Sequence, residues 1–577
     1  MNRKSFRLFL VWVFVIGSCS GYAQSPQPVT SLENLPSEVL AYPEIILFNG
    51  KVLTVDDEFS MAQAVAIRDG RFLAVGEDAR ILKMTGPETL THDLEGKTVV
   101  PGLLDTHYHL GDYVFRHMLL EENQVQWEGK VELLGLLWKD SDEALRDIKR
   151  AAEAANPGDL VRVPSRNAVI VGNVTRSELD SVSPDNPVVV VAAAQLRPVA
   201  LNTKALEWAA LPSDTPGLPA DGRVVISDRA ARLLAEHVID AMPAEKALLW
   251  HKKTMSLVNS WGLTMAVTRI TVDQFNSLRE IWLEDELTVR WRVGFPGPVD
   301  FPNTGNLSDI GDDWLRIAGA GGGMAVPGSD GAMDHWTTKI SASADELAGW
   351  PQRRREILEV LQYGWSTPNS HIKGNIAVRA VLDLIEEAQQ NPLVKSSNQR
   401  FTMDHMMEID DRDIVRIKQL GVIPSSSLKN VFSDLHGEGS SVYQEVFGAD
   451  YVNQMLPLKK YLDLGIRPTV EADMGDEALG KPLWTVEKAI CRCVDGSDRI
   501  WGREQKVSRR DALRMKTIWA AAYVGDEKKL GSIETGKLAD LVVLDGDYMS
   551  VPEDQISELE VTLTIVGGRV VYEKADN

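Results

Sequence analysis

PGLLDTHYHL, residues 101–110, is an apolar run that ends in His107-Tyr108-His109. Residues i and i+2 of an extended strand point to the same face, so both imidazoles can reach one ion. The pair is a weak signal by itself, and its weight depends on where other chemistry-bearing residues stand. The chain has ten histidines. His371 (GWSTPNSHIKGN) and His405 (QRFTMDHMMEIDD) each close a β-like run before a helical one, and Asp473 ends the run in GIRPTVEADMGD. In a parallel barrel such C-terminal strand ends converge on one mouth, where active sites lie.

The segments around these residues support that geometry. VVVVAAA at 188–194, GLTMAVTRI at 262–270, LTVRWRVGF at 287–295 and WLRIAGAG at 314–321 read as buried strands. So do the stretches around Ser370, Phe401, Val422 and Pro468. Between them AVRAVLDLIEEAQQ and DDRDIVRIKQLG carry apolar residues at helical spacing. Repeated strand-then-helix units predict an α/β fold, a (β/α)8 TIM-like barrel over about 100–530, with an inserted subdomain at about 115–255. Hairpin-like runs open and close the chain, with Asn49-Gly50, Asp69-Gly70 and Gly567-Gly568 as expected turns. They predict one β-sandwich assembled from residues 44–99 and 531–577.

Here the chain resembles the amidohydrolase superfamily, in the branch around N-substituted formamide deformylase. The likeness runs from about Glu44 to the C-terminus. NGKVLTV, AQAVAIRDGRFLAVG, the PG-x-x-D-x-H-x-H strand, RPVALNTKALEWAAL, H-x-x-G-N and the LGSIETGKLADLVVLDGD closure carry it. It implies a divalent metal, zinc first, held by His107, His109 and Asp473 and/or the later histidines His371 and His405. It also implies hydrolysis of an amide, formamide or cyclic amide of a small molecule. Such an ion lowers the pKa of the water it holds from about 15.7 toward about 7. His371 or His405 would polarise the carbonyl, and Asp473 would carry the proton to the leaving nitrogen. Lys373, Arg269 and Asp330 are candidate substrate-binding residues.

Three departures qualify the likeness. The family's bridging fourth-strand lysine is absent, since IAGAGGGMAVPGSDG has no lysine, glutamate or cysteine. His-x-x-Gly-Asp is replaced by His371-Ile-Lys-Gly-Asn375, and Ser-Asp by Ala472-Asp473. The first predicts one ion rather than two. A substituted site also leaves open an isomerase, a lyase, an esterase or lactonase, or a metal-free binding protein on the same fold.

Composition and leader bound the rest. The chain has 577 residues, 44% hydrophobic and 25% charged, with a net charge of −22. So acidic a surface repels phosphate backbones, which excludes nucleic acid as a partner class. A homo-oligomer is compatible with the sequence. Arg3, Lys4 and Arg7 precede the apolar LFLVWVFVI and the small-residue stretch GSCSGYA, the pattern of a signal peptide over 1–23 followed by a linker at 24–43. This predicts a periplasmic or secreted protein, or a lipoprotein anchored through Cys19. Nine apolar residues are too few to span a bilayer, which takes about 20, and no transmembrane span is expected. Cys491 and Cys493, in a Cys-x-Cys pair, are expected as free thiols near a loop.

Overall fold

The computed structural model describes residues 42–110, 114, 124–127, 129–133, 138, 140–165, 174–192, 197–210, 244–270, 272–294, 305–321, 350–390, 398–433, 440–473 and 480–575. The leader, Cys19, nearly all of the linker and Asp330 lie outside them.

Two parallel sheets form the centre. Leu103–Tyr108, Leu263–Arg269, Arg290–Gly294 and Leu315–Gly319 pair side by side in chain order, and Thr402–Met403, Ile423–Ser427 and Thr469–Glu471 do the same. Leu103–Tyr108 is buried at every position, as expected of a strand covered on both faces. The covering helices are amphipathic. Asn375–Gln390 buries Ile376, Val378, Val381, Leu382 and Ile385, while Asp411–Leu420 buries Ile414 and Ile417. The second helix stops at Gly421, whose φ of 68° suits a left-handed cap that costs glycine little.

The two arcs meet at two seams rather than in one continuous ladder. At the first, Tyr108 and Asp473 form an isolated parallel bridge, with the Asp473 N–H donating to the His107 carbonyl at 3.1 Å. At the second, the stretch before His371 runs without a regular ladder. It is tied by Ala320 N–H to Ser366 O at 2.9 Å and Thr367 N–H to Arg400 O at 3.1 Å. Gly321 belongs to this second seam. A Cβ there would lie 2.1 Å from the Pro368 carbonyl oxygen, so only glycine lets the backbones approach.

The two ends of the chain share one sheet. Leu541–Leu544 lies between Thr98–Pro101 and Val561–Val566 in a six-stranded sheet that also holds Lys51–Leu53. A four-stranded sheet holds Ile45–Phe48, Ala64–Arg68, Arg71–Gly76 and Leu90–Asp93. Asp69-Gly70 and Gly567-Gly568 turn hairpins as read. Asn49-Gly50 does not. The strands on either side of it enter different sheets, and Gly50 passes so close to Leu94 that a Cβ would stand 2.4 Å from its Cδ1. The Arg290 guanidinium grips Asp540 at 2.7 and 2.9 Å, both side chains buried, so a parallel strand is bonded directly to the C-terminal segment.

VVVVAAA lies outside the central sheets. Val188–Ala192 sits in a separate five-stranded sheet with Gln124–Trp127, Lys130–Leu133, Leu160–Ser165 and Arg197–Leu201, within the stretch read as an insertion. Cys491 and Cys493 are not free thiols but a disulfide. Arg492 adopts a left-handed conformation at the end of helix Pro482–Cys491 and turns Cys493 back, so the two Cα atoms stand 5.1 Å apart. Its guanidinium fixes the turn by donating to the carbonyls of Trp501, Leu456 and Met455. The free thiols expected from the sequence rested on the local strain of so short a loop. Among the described residues no helix is long and apolar enough to cross a membrane.

Candidate metal centre

The Tyr108–Asp473 bridge brings the first and last parallel strands side by side, and three predicted ligands meet there. The His107 and His109 Nε2 atoms stand 3.2 Å apart. Asp473 Oδ1 lies 3.2 Å from His109 Nε2 and 3.7 Å from His107 Nε2. Strand alternation accounts for the histidine pair. Asp473 reaches them because it stands at φ 53°, an uncommon left-handed conformation for a non-glycine residue. His405 does the same at φ 61°, and its ring centroid lies 4.4 Å from those of both His107 and His371. All five predicted ligands therefore gather at one end of the parallel strands.

A layer of buried carboxylates surrounds them. His107 Nδ1 is 2.7 Å from Asp404 Oδ2, and Asp404 Oδ1 accepts from the Tyr523 hydroxyl at 2.5 Å. A ring that gives its Nδ1 proton to a carboxylate keeps its Nε2 lone pair for a cation. Glu471 Oε1 is 2.5 Å from His405 Nδ1, and Glu471 Oε2 accepts from Ser425 at 2.6 Å. Asp105 ties the backbone of both strands, accepting from the N–H groups of His107 and Ala472, and pairs with the buried Lys516 ammonium at 2.6 Å.

The electrostatics follow from burial. Desolvation holds the His107 and His405 imidazoles well below their ordinary pKa, so both are neutral and able to ligate. Burial alone would raise Asp473, yet the Lys429 ammonium first, and then the hydrogen bond from His109, hold it well below the usual carboxylate range. Glu471 is pushed up to about 8 by burial and by the Asp473 charge. Asp404 is raised well above its ordinary value by burial and by Glu471.

This environment fits a divalent cation. Two imidazole lone pairs and a carboxylate oxygen converge within 3.7 Å, and His405 Nε2 is buried without a hydrogen-bond partner. Among the described residues, His107, His109 and Asp473 form one compact ligand group, and His107, His405 and Glu471 another. Arg269 and Lys373 stand close enough for their charges to bear on the site, Arg269 on His107 and Asp404, Lys373 on His405 and Glu408. Sequence reasoning missed Asp404, Glu471, Asp105 and Lys429. Period-two alternation would have found two of them, because Asp105 shares a face with His107 and Glu471 with Asp473. Asp404 directly precedes a singled-out histidine. Lys429 carried no signal.

The model of the amidohydrolase family matches residues 91–572. The chain belongs to the amidohydrolase family. It is a metal-dependent hydrolase. It is 25% identical to N-substituted formamide deformylase of Arthrobacter pascens over 92% of this chain and 98% of that protein. It is 24% identical to Protein LONG AFTER FAR-RED 3 of Arabidopsis thaliana over 94% of each. Among solved structures, an uncharacterized metal-dependent hydrolase from Pyrococcus furiosus aligns with a TM-score of 0.64 at 20% identity, over 88% of this chain and all of that one. That likeness shows the TIM-barrel-like α/β fold.

Two of the three departures from the amidohydrolase pattern are visible in the structure. The fourth strand ends in Gly319-Ala320-Gly321 against the backbone of 366–369, where position 321 cannot hold a side chain. Asn375, in place of the aspartate, opens helix Asn375–Gln390, and its side-chain amide donates to Asp410 Oδ1 at 3.3 Å.

Proposed function

We propose that this amidohydrolase is an exported enzyme that hydrolyses a carbon–nitrogen bond in a small amide, formamide or cyclic amide. It would use one divalent ion, zinc by preference. The observation that carries the reading is the convergence of His107 Nε2, His109 Nε2 and Asp473 Oδ1 within 3.7 Å. The similarity to N-substituted formamide deformylase supports the choice of bond, and the leader at 1–23 supports export.

When bound, such an ion acidifies water and polarises a carbonyl. The chain's own residues do the rest. The Asp473 carboxylate accepts the proton that the attacking water loses and delivers it to the nitrogen as the C–N bond breaks. The products are a carboxylic acid and an amine. That delivery matters because an amine departs poorly as an anion. His371 or His405 donates a ring N–H to the carbonyl oxygen as charge develops there. Arg269 and Lys373 are suited to a substrate carboxylate. The closed barrel is read from the two arcs and their seams. The terminal sandwich is read from the shared core of the two terminal sheets, in which Ile45, Leu47 and Val65 pack with Leu541, Val543 and Ile565.

The test is a screen of amides, formamides, cyclic amides, esters and lactones against metal-loaded and chelated protein. Metal-dependent turnover of an amide supports the reading, and turnover of esters alone would replace it.

A further inference from the structure

Asp473 presents its two oxygens to different cations. Oδ1 faces His107 and His109, whereas Oδ2 accepts the Lys429 ammonium at 2.8 Å. Lys429 opens the short helix Lys429–Phe432 directly after the strand Ile423–Ser427, at the same end of the parallel strands as the histidines. Its side chain is only 16% exposed. On the Oδ2 side His405 Nδ1 stands 4.0 Å away and Glu471 Oε1 lies against it. Donors for a second ion are therefore present beside Oδ2, but the positive charge already there belongs to the protein.

We propose that Lys429 is a positioning residue whose ammonium takes the place of a second divalent ion and limits the centre to one. This rests on the reading of His107, His109 and Asp473 as a metal centre and adds what sets its stoichiometry. The argument is electrostatic and steric. A fixed positive charge 2.8 Å from Oδ2 repels a divalent ion from the position where that oxygen would bridge. The low-dielectric surroundings of a buried site strengthen the repulsion. At Gly321 no side chain fits that could supply a bridging ligand from the fourth strand, because a Cβ would stand 2.1 Å from Pro368 O and 2.7 Å from Asn369 O. The ammonium also satisfies Oδ2, so Asp473 remains a carboxylate with Oδ1 turned toward the histidine pair.

The experiment is a count of ions, independent of turnover. Full-length wild type, Lys429→Met and Lys429→Arg are stripped with chelator, titrated with Zn2+ or Co2+, and measured by calorimetry and elemental analysis. The expected result is one tight equivalent for wild type and for Lys429→Arg. Lys429→Met should gain a second equivalent, with spin coupling in the Co2+ form. Circular dichroism verifies folding, and Lys429→Gln repeats the test should Lys429→Met not fold. One equivalent in the folded uncharged variants overturns the inference while leaving the metal centre intact. Two equivalents in wild type overturn it as well. No tight metal in wild type overturns the metal-centre reading itself.

Discussion

His107 Nδ1 lies 2.7 Å from Asp404 Oδ2, and neither side chain reaches solvent. With Asp404 ionised, the form a cation at this centre would favour, the contact selects the tautomer that points the His107 Nε2 lone pair at His109 and Asp473. Asp404 is itself held from its other side by Tyr523. Asp404→Asn leaves only one acceptor oxygen, and an amide NH2 turned toward His107 Nδ1 clashes with its N–H or forces the other tautomer. Metal affinity should fall about 10–100-fold, the usual cost of losing such a partner. Chelator competition measures it, and unchanged affinity would reduce Asp404 to a packing role.

Asp473→Asn should lower kcat by about 10²–10⁴-fold, the range of general acid–base contributions. KM should move much less, since the proton transfer is made in the transition state. The amide keeps one oxygen for Oδ1's place but cannot accept the proton. Metal content measured on the same sample separates lost proton transfer from a lost ion. A variant with metal and near-normal kcat would shift the proton carrier to another residue, His405 first.

Glu408 is buried, and burial pushes its carboxyl from 4.5 up to about 8, with the Lys373 charge and the backbone N–H groups of Gly374 and of Glu408 itself opposing. The folded state therefore prefers the protonated form. That contribution to stability is fully present below about 4.5 and is lost as pH rises through about 8. Glu408→Gln should gain stability on wild type across this window, by on the order of a few kcal/mol at the upper end. Paired thermal melts at pH 5 and pH 8 read the difference. A gap between the two proteins that does not widen with pH would show that Glu408 is ionised in the fold.

Deleting the chain after Gly531 removes Leu541–Leu544, which pairs with both Thr98–Pro101 and Val561–Val566. It also leaves Arg290 as a buried cation without Asp540. Stranding one member of a buried ion pair costs about 3–5 kcal/mol before any apolar exposure is counted. The truncated protein should be insoluble. A folded, fully active truncation would contradict the shared terminal sheet.

The clustering of the candidate ligands was legible because each residue ends an apolar run, and parallel strands bring such ends together. His107, His109, His371, His405 and Asp473 needed nothing but strand polarity. Asp404 and Lys429 were not legible, because their roles depend on a neighbour far away in sequence, Tyr523 for one and Asp473 for the other. Asn49-Gly50 misled because a hairpin signal describes the turn and not the sheet each flanking strand joins. Cys491 and Cys493 misled because closure of so short a loop depends on the left-handed Arg492, which is anchored by carbonyls about 10 to 40 residues away.

The most direct measurement is metal content per chain on protein purified without chelator, taken together with hydrolysis of an amide before and after the ion is stripped and restored. The predicted result is one divalent ion per chain, with amide hydrolysis that disappears on stripping and returns with one equivalent. Protein with His107 and His109 intact that carries no metal, or that hydrolyses the amide equally well after stripping, would contradict it.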